Sequence, residues 1–366
     1  MSHLCELYVD ISRSDDIHTN VYNDILQKCN DETFSIPTLI KTLGKELVAD
    51  ADKRRNRATL LLAELLNDIK SPIKDVVMTN LLLNFFSARL NDYPSVLPSL
   101  HALLALITKH ITACATDASV IASCMTSRGV ASESPKFNIQ SIISALDTQL
   151  PSHVQGLAQS IRYKIFTLLY KLLLFIEEYV TFSADMVDIC DMKQSSGKYL
   201  LVVVTNCIEG EKDPRCLLLI LKIVKLTLVV FPHSVLEVSA GSIPMHNDGD
   251  TQVLGKYSGE LEEDPRLNRS STSDDLSGDR LMERVYNITA CYFPITFTPP
   301  PFTPQNTEII TANMLTNALL ECLSCHSSMY KYIIPFIVDQ LVTARDGEDS
   351  VEEQTIIYCK VYPCFM

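Results

Sequence analysis

Apolar residues recur at helical spacing along most of the chain, and no run alternates convincingly as a strand would. Ala58, Leu61, Leu62, Leu65, Leu66 and Ile69 follow the i, i+3, i+4, i+7 series that lines one face of a helix. Leu81, Leu82, Phe85, Phe86 and Leu90 predict a second stripe, and Ile161, Ile165, Leu168, Leu169, Leu172 and Ile176 a third. Leu217, Ile220, Leu221, Val224 and Leu228 predict a fourth. Met314, Leu315, Ala318, Leu319, Cys322 and Leu323 predict one more, directly after a strap rich in aromatics and proline. Polar turns separate these stripes, and several hold Asp or Pro: Asp50–Asp52, Asn91-Asp92-Tyr93-Pro94 and Glu211-Lys212-Asp213-Pro214.

The turns themselves suggest a repeat. DADKRRNRATLLLAELL, NDYPSVLPSLHALLAL and GEKDPRCLLLILKIV each run from an acidic turn, through a basic or proline residue, into an apolar helix. Their aspartates, Asp52, Asp92 and Asp213, are separated by 40 and 121 residues, about one and three units of a helical-hairpin repeat of ~40–47 residues. A lone hairpin cannot bury its apolar face, whereas stacked hairpins can. The expected fold is therefore all-α, an α-solenoid of HEAT-like hairpins. Asp213-Pro214 is expected to start the helix that buries Leu217 and Leu221, with Lys212, Asp213 and Arg215 at a repeat junction.

Composition supports this picture. The chain has 366 residues, too many for one ordinary core, with 47% apolar and 20% charged residues. Only 11 glycines are present, and five of them (Gly241, Gly249, Gly255, Gly259, Gly278) fall in one segment, so the turns of a strand-rich fold are not supplied elsewhere. The net charge of −13 argues against nucleic-acid binding, which needs clustered Lys and Arg. About half of that charge lies between His233 and Glu283, where 11 acidic residues meet 4 basic ones. The expected organisation is an amino-terminal array over 1–232, an acidic disordered insertion over 233–280, a continued array with the strap over 281–345, and an atypical tail over 346–366 in which the array stops without a polar cap. The 12 cysteines fall mostly inside apolar stripes and read as buried thiols of a reducing compartment. No signal peptide is apparent, and the run Cys216 to Phe231, interrupted by Lys222 and Lys225, is too short to span a bilayer.

Little in the sequence offers chemistry. Cys322-Leu323-Ser324-Cys325-His326 has metal-like spacing, and Cys359 and Cys364 could complete a zinc site. Cys322 belongs to an apolar stripe, however, so core packing is the expected role and no metal or cofactor is assigned. Ser195-Ser196-Gly197-Lys198 lacks the upstream glycine of a phosphate loop, and paired Glu177-Glu178 reads as a solvated helix end. The basic cluster Lys53 to Arg57 sits in an inter-helix turn. There Arg54, Arg55 and Arg57 are expected to be solvated or to meet the Asp50 and Asp52 carboxylates, with a peptide or nucleic-acid site as the alternative, and Arg55→Ala is expected to leave the array folded. In the strap, Phe293, Pro294 and Phe297 are further candidates for partner or junction contacts, and Pro299-Pro300-Pro301 must run extended.

Several blocks, in the same order, resemble the amino-terminal region of the MMS-nineteen proteins: residues 51–66, 81–106, 161–173, 209–224, 283–323 and 330–341. The most specific are GEKDPR (Gly210 to Arg215) and CYFPITFTPPP (Cys291 to Pro301). The resemblance implies a non-enzymatic HEAT-repeat adaptor of cytosolic iron–sulfur protein assembly, tied also to DNA repair and transcription. It implies protein partners, namely other assembly factors and apo iron–sulfur clients such as helicases and polymerases. It implies neither direct nucleic-acid nor membrane contact, and residence in cytoplasm and nucleus. A generic HEAT scaffold for other cargo is the alternative, and a Cys-based metal or thiol enzyme a more distant one.

Overall fold

A computed structural model describes residues 2–10, 12, 15–116, 137, 140–149, 154–180, 201, 204–206, 208–230, 278–293, 295 and 310–346. Among these residues there is no strand. The acidic stretch expected as an insertion lies outside them up to residue 277, as do Pro294, Phe297, most of the strap and the tail beyond 346.

The elements are α1 (Ser2–Val9), α2 (Asp15–Asn30), α3 (Ile36–Leu47), α4 (Asp52–Asp68), α5 (Val76–Arg89), α6 (Val96–Ala105) and α7 (Thr112–Thr116). Then come α8 (Gln140–Gln149), α9 (Gln159–Val180), α10 (Pro214–Val230), α11 (Gly278–Ala290), α12 (Ala312–Ser324) and α13 (Tyr330–Asp346). A π-helical turn, Leu106–Ile111, joins α6 to α7.

Five helices stack in sequence order to make the inner row: α4 on α6, α6 on α9, α9 on α10 and α10 on α12. The others flank this row, with α3 against α4, α5 against both α6 and α8, and α11 against α12 and α13. Among the described residues the main packing runs between successive layers, the architecture of an α-solenoid. The 121-residue gap between Asp92 and Asp213 holds, among the described residues, two stacking steps, α6 to α9 and α9 to α10. The helix α11 begins at Gly278, inside the stretch read from sequence as insertion.

The predicted stripes are the core. Leu61, Leu65 and Leu66 of α4, Ile165, Leu168 and Leu172 of α9, and Ile220, Leu221 and Val224 of α10 are all buried. Phe85 is half-buried, and two further stripe residues are exposed. Leu81 is 53% exposed, because α5 carries three consecutive leucines and the face shared by Thr79, Leu82, Leu83 and Phe86 turns inward. Met314, on the first turn of α12, is 43% exposed while Leu315 beside it is buried. Tyr93–Cys114 is the one helical stretch among the described residues long and apolar enough to cross a membrane. It lies between α4, α5 and α9 with Leu100, Leu103, Leu106 and Ile111 buried, as a core helix does.

Two helix starts are capped by aspartates, Asp213, which the sequence marks, and Asp75, which it does not. The Asp75 carboxylate accepts from the amides of Val77 (2.9 Å) and Met78 (3.3 Å) at the start of α5. Asp213 accepts from Arg215 (2.9 Å) and Cys216 (3.3 Å) at the start of α10, where Pro214 occupies the first helical position. Such caps contribute about 1 kcal/mol each by satisfying otherwise orphaned amides. The far end of α4 is closed by the π turn. Lys109 Nζ donates to the carbonyls of Asn67 (2.6 Å) and Ile69, and His110 Nε2 to that of Leu66 (2.8 Å).

Candidate functional site

Two arginines occupy the same place in their helices. Arg55 is the fourth residue of α4 and Arg162 the fourth of α9. Each reaches forward to an acid in the turn preceding the next inner helix. Arg55 Nε and Nη2 hold Asp92 at 2.6 and 2.8 Å. Arg162 Nε and Nη2 hold Glu211 at 2.8 and 3.0 Å. Each also reaches back with Nη1 to a carbonyl before its own helix, Ala49 at 2.7 Å and Leu157 at 2.8 Å. The planar guanidinium can make both sets of bonds at once, which Lys cannot. The clasp therefore joins three segments, the entry to one inner helix, the helix itself and the entry to the next.

The surroundings complete each clasp. Asp92 also accepts from Arg89 (3.2 Å) and Ser95 (2.7 Å), and Arg89 reaches the carbonyl of Leu47. The bonds from Arg55 hold the Asp92 carboxyl down to about 2, against the opposing effect of burial. Arg55 bonds the Asp52 carboxylate as well, at 2.7 Å. The second clasp is drier. The Glu211 side chain is 1% exposed, and its Oε1 also accepts from the amides of Lys212 and Asp213, both at 2.9 Å. Gly210 enters this turn at φ +83°, a left-handed conformation open to glycine at little cost. GEKDPR is thus a junction: Gly210 turns the chain, Glu211 receives Arg162, Asp213 caps α10 and Pro214 starts it.

The other sequence candidates fall at related places. Arg54 pairs with Glu46 of α3 at 3.0 Å, and Arg57 lies 2.6 Å from the His18 ring nitrogens and 3.3 Å from the Tyr8 carbonyl, tying α1 and α2 to α4. Tyr8 and Tyr22 add bonds to Glu64 (3.0 Å) and Asp68 (2.6 Å). Lys212 is exposed, and Arg215 pairs locally with Asp213. Phe293 meets Phe336 of α13 edge-on at 5.6 Å, beside Tyr286 stacked on Tyr332 at 5.4 Å. The strap's Tyr292 hydroxyl lies 3.0 Å from the carbonyls of Ile208 and Glu211. The two sequence blocks GEKDPR and CYFPITFTPPP therefore touch. Asp92, Arg162 and Glu211 were not singled out from sequence as junction residues. The signal for them is an Arg at the fourth helical position with an acid just before the next inner helix.

The cysteine group is packed, not poised. Cys322 is fully buried, which pushes its thiol well above the usual range, and burial pushes Cys325 up to about 11. Cys325 Sγ donates to the Cys322 carbonyl (3.1 Å), and His326 Nδ1 accepts from the Ser328 amide (3.2 Å). Cys359 and Cys364 lie outside the described residues, as does the Ser195–Lys198 stretch. No group of three or more His, Cys, Asp or Glu suited to a metal occurs among the described residues.

A stack of helical hairpins held by polar clasps and presenting a long surface defines the class, a helical-repeat α-solenoid protein. Residues 40–359 match the family described as Dos2-interacting transcription regulator of RNA-Pol-II, the MMS19 amino-terminal domain, and the chain belongs to that family. It is 23% identical over 355 residues to the MMS19 nucleotide excision repair protein homolog of Dictyostelium discoideum, covering 97% of this chain and 24% of the relative. The homolog of Arabidopsis thaliana is 26% identical over 343 residues, covering 93% and 23%. The DNA repair/transcription protein mms19 of Schizosaccharomyces pombe is 23% identical over 343 residues, covering 93% and 25%. The chain thus spans about a quarter of the length of these curated relatives.

Proposed function

We propose that the chain is a non-enzymatic protein-binding scaffold in cytosolic iron–sulfur protein assembly, working in cytoplasm and nucleus. It links assembly factors to apo-proteins of DNA repair, replication and transcription. The observation that carries this reading is the family match over 40–359 laid on a clasped helical array. Stacked hairpins expose an extended surface that suits large protein clients. The polar groups brought together at the junctions are consumed by structural bonds, and the buried thiols are in no state to act as nucleophiles. The names of the relatives, which speak of repair and transcription, agree with clients of that kind.

Co-purification from cell extract tests the reading. The folded chain is expected to retrieve apo iron–sulfur helicases or polymerases, and a version extended by the family's carboxy-terminal repeats is expected to retrieve more of the cluster-loading factors. Equal recovery of those factors by both forms would assign their docking to this quarter of the protein. Recovery of neither clients nor factors would overturn the adaptor reading in favour of a scaffold for other cargo.

A further inference from the structure

The net charge is −13, yet α9 and α10, which pack together, bring three lysines into one neighbourhood. Lys164 and Lys171 of α9 and Lys222 of α10 form no ion pair among the described residues. Lys164 and Lys171 are two helical turns apart and so share a face. The Lys222 ammonium lies over the Tyr170 ring, 5.9 Å from its centre, which brings the charge of α10 beside that of α9. Lys171 and Lys222 are exposed, and Lys164 and Tyr170 half-buried. The strip has clear limits. One turn beyond Lys222, Lys225 is taken by Glu321 of α12 at 2.8 Å. Glu177 and Glu178 stand at the far end of α9. On the α6 side is His101, where burial and then the Lys164 charge disfavour the protonated ring against Glu64 and Asp68, whose carboxylates bound the strip there.

We propose that this face of α9 and α10 docks an acidic, extended segment of a partner protein, with Lys164, Lys171 and Lys222 as its anchoring charges and Tyr170 as the flat surface between them. The spacing selects the segment. Seven helical residues rise about 10 Å, and carboxylates three residues apart on a polyproline-II-like chain share one face about 9 Å apart. The fitting pattern is therefore acidic-x-x-acidic, repeated. Three lysines on an acidic chain fall short of the roughly 6–10 phosphate contacts typical of nucleic-acid binders, so an acidic peptide fits better. The proposal stands on surface charge and is independent of the iron–sulfur reading.

Fluorescence anisotropy on the full chain tests it, with a labelled peptide carrying Glu at every third position between Ser residues, a Gln version and an oligothymidylate. The Glu peptide is expected to bind saturably and with a salt dependence, and the Gln version is not. Lys164→Glu, Lys171→Glu and Lys222→Glu together are expected to weaken binding about tenfold or more while circular dichroism and melting stay unchanged. Carbodiimide coupling followed by peptide mapping should join these lysines to the Glu peptide. Unchanged affinity in the triple variant would overturn the proposal. So would tighter binding of oligothymidylate, or coupling of these lysines to carboxylates within residues 233–277 in place of the peptide.

Discussion

The Arg162 guanidinium grips the Glu211 carboxylate through two bonds across 49 residues of chain, at a site where the Glu211 side chain is almost fully enclosed. Removing one partner strands the other's charge in a place poor in water. Arg162→Ala is expected to destabilise the array by about 3 kcal/mol, within the usual range for breaking a buried pair. Arg162→Lys should recover only part of this, because one ammonium cannot reproduce both forked bonds. Urea unfolding followed by circular dichroism measures both. A loss below about 1 kcal/mol for Arg162→Ala, the level of an exposed pair, would show that the clasp does not hold the junction.

The Arg55–Asp92 clasp is wetter, with both side chains between 16% and 19% exposed. Arg55→Ala is therefore expected to cost less, about 1–2 kcal/mol, between the surface and buried cases. This differs from the expectation drawn from sequence, which left Arg55 dispensable for folding. The same urea experiment decides it, and an unchanged midpoint would return Arg55 to a surface role.

Gly210 has open space where a Cβ would go, so crowding is not the issue there. Its φ of +83° is. Gly210→Ala is expected to cost about 1 kcal/mol from backbone strain alone. Hydrogen exchange should also quicken at the Lys212 and Asp213 amides, which Glu211 no longer meets squarely. Unaltered exchange at those amides would place the turn's rigidity elsewhere.

His110 is fully buried, with Nε2 donating to the Leu66 carbonyl and Nδ1 accepting from the Ile73 amide at 2.9 Å. The bond from the Ile73 amide needs Nδ1 unprotonated and hence the neutral ring, and burial lowers the ring's pKa in the folded state. The unfolded chain therefore takes up the proton first. The stabilisation is full above the unfolded value of about 6.5 and is lost as pH falls below it toward the folded value. Melting temperature should drop as pH falls below about 6.5, and His110→Gln should flatten that slope. An equal slope in the variant would assign the acid sensitivity to other groups.

The fold was largely legible because burial writes a 3.6-residue period into the sequence. Every position of the α4, α9 and α10 stripes is in the core. Leu81 and Met314 were misplaced because a run such as Leu81-Leu82-Leu83 fits several phases, and only the neighbouring helix selects one. The clasps were half legible. Arg55, Asp52 and Asp213 stood out by local sequence, but the bonds from Arg55 to Asp92 and from Arg162 to Glu211 cross 37 and 49 residues. No local pattern reveals a partner at that range until the stacking order is known.

The most direct test of the scaffold reading is binding between the purified chain and a purified, cluster-free iron–sulfur helicase, followed by calorimetry with the metal content of both proteins assayed. The account predicts saturable binding without any metal held by the chain, and its loss in a Leu221→Asp variant whose α10 can no longer pack. No binding by the folded chain, or binding only when the chain itself carries a stoichiometric metal released by Cys322→Ser with Cys325→Ser, would contradict it.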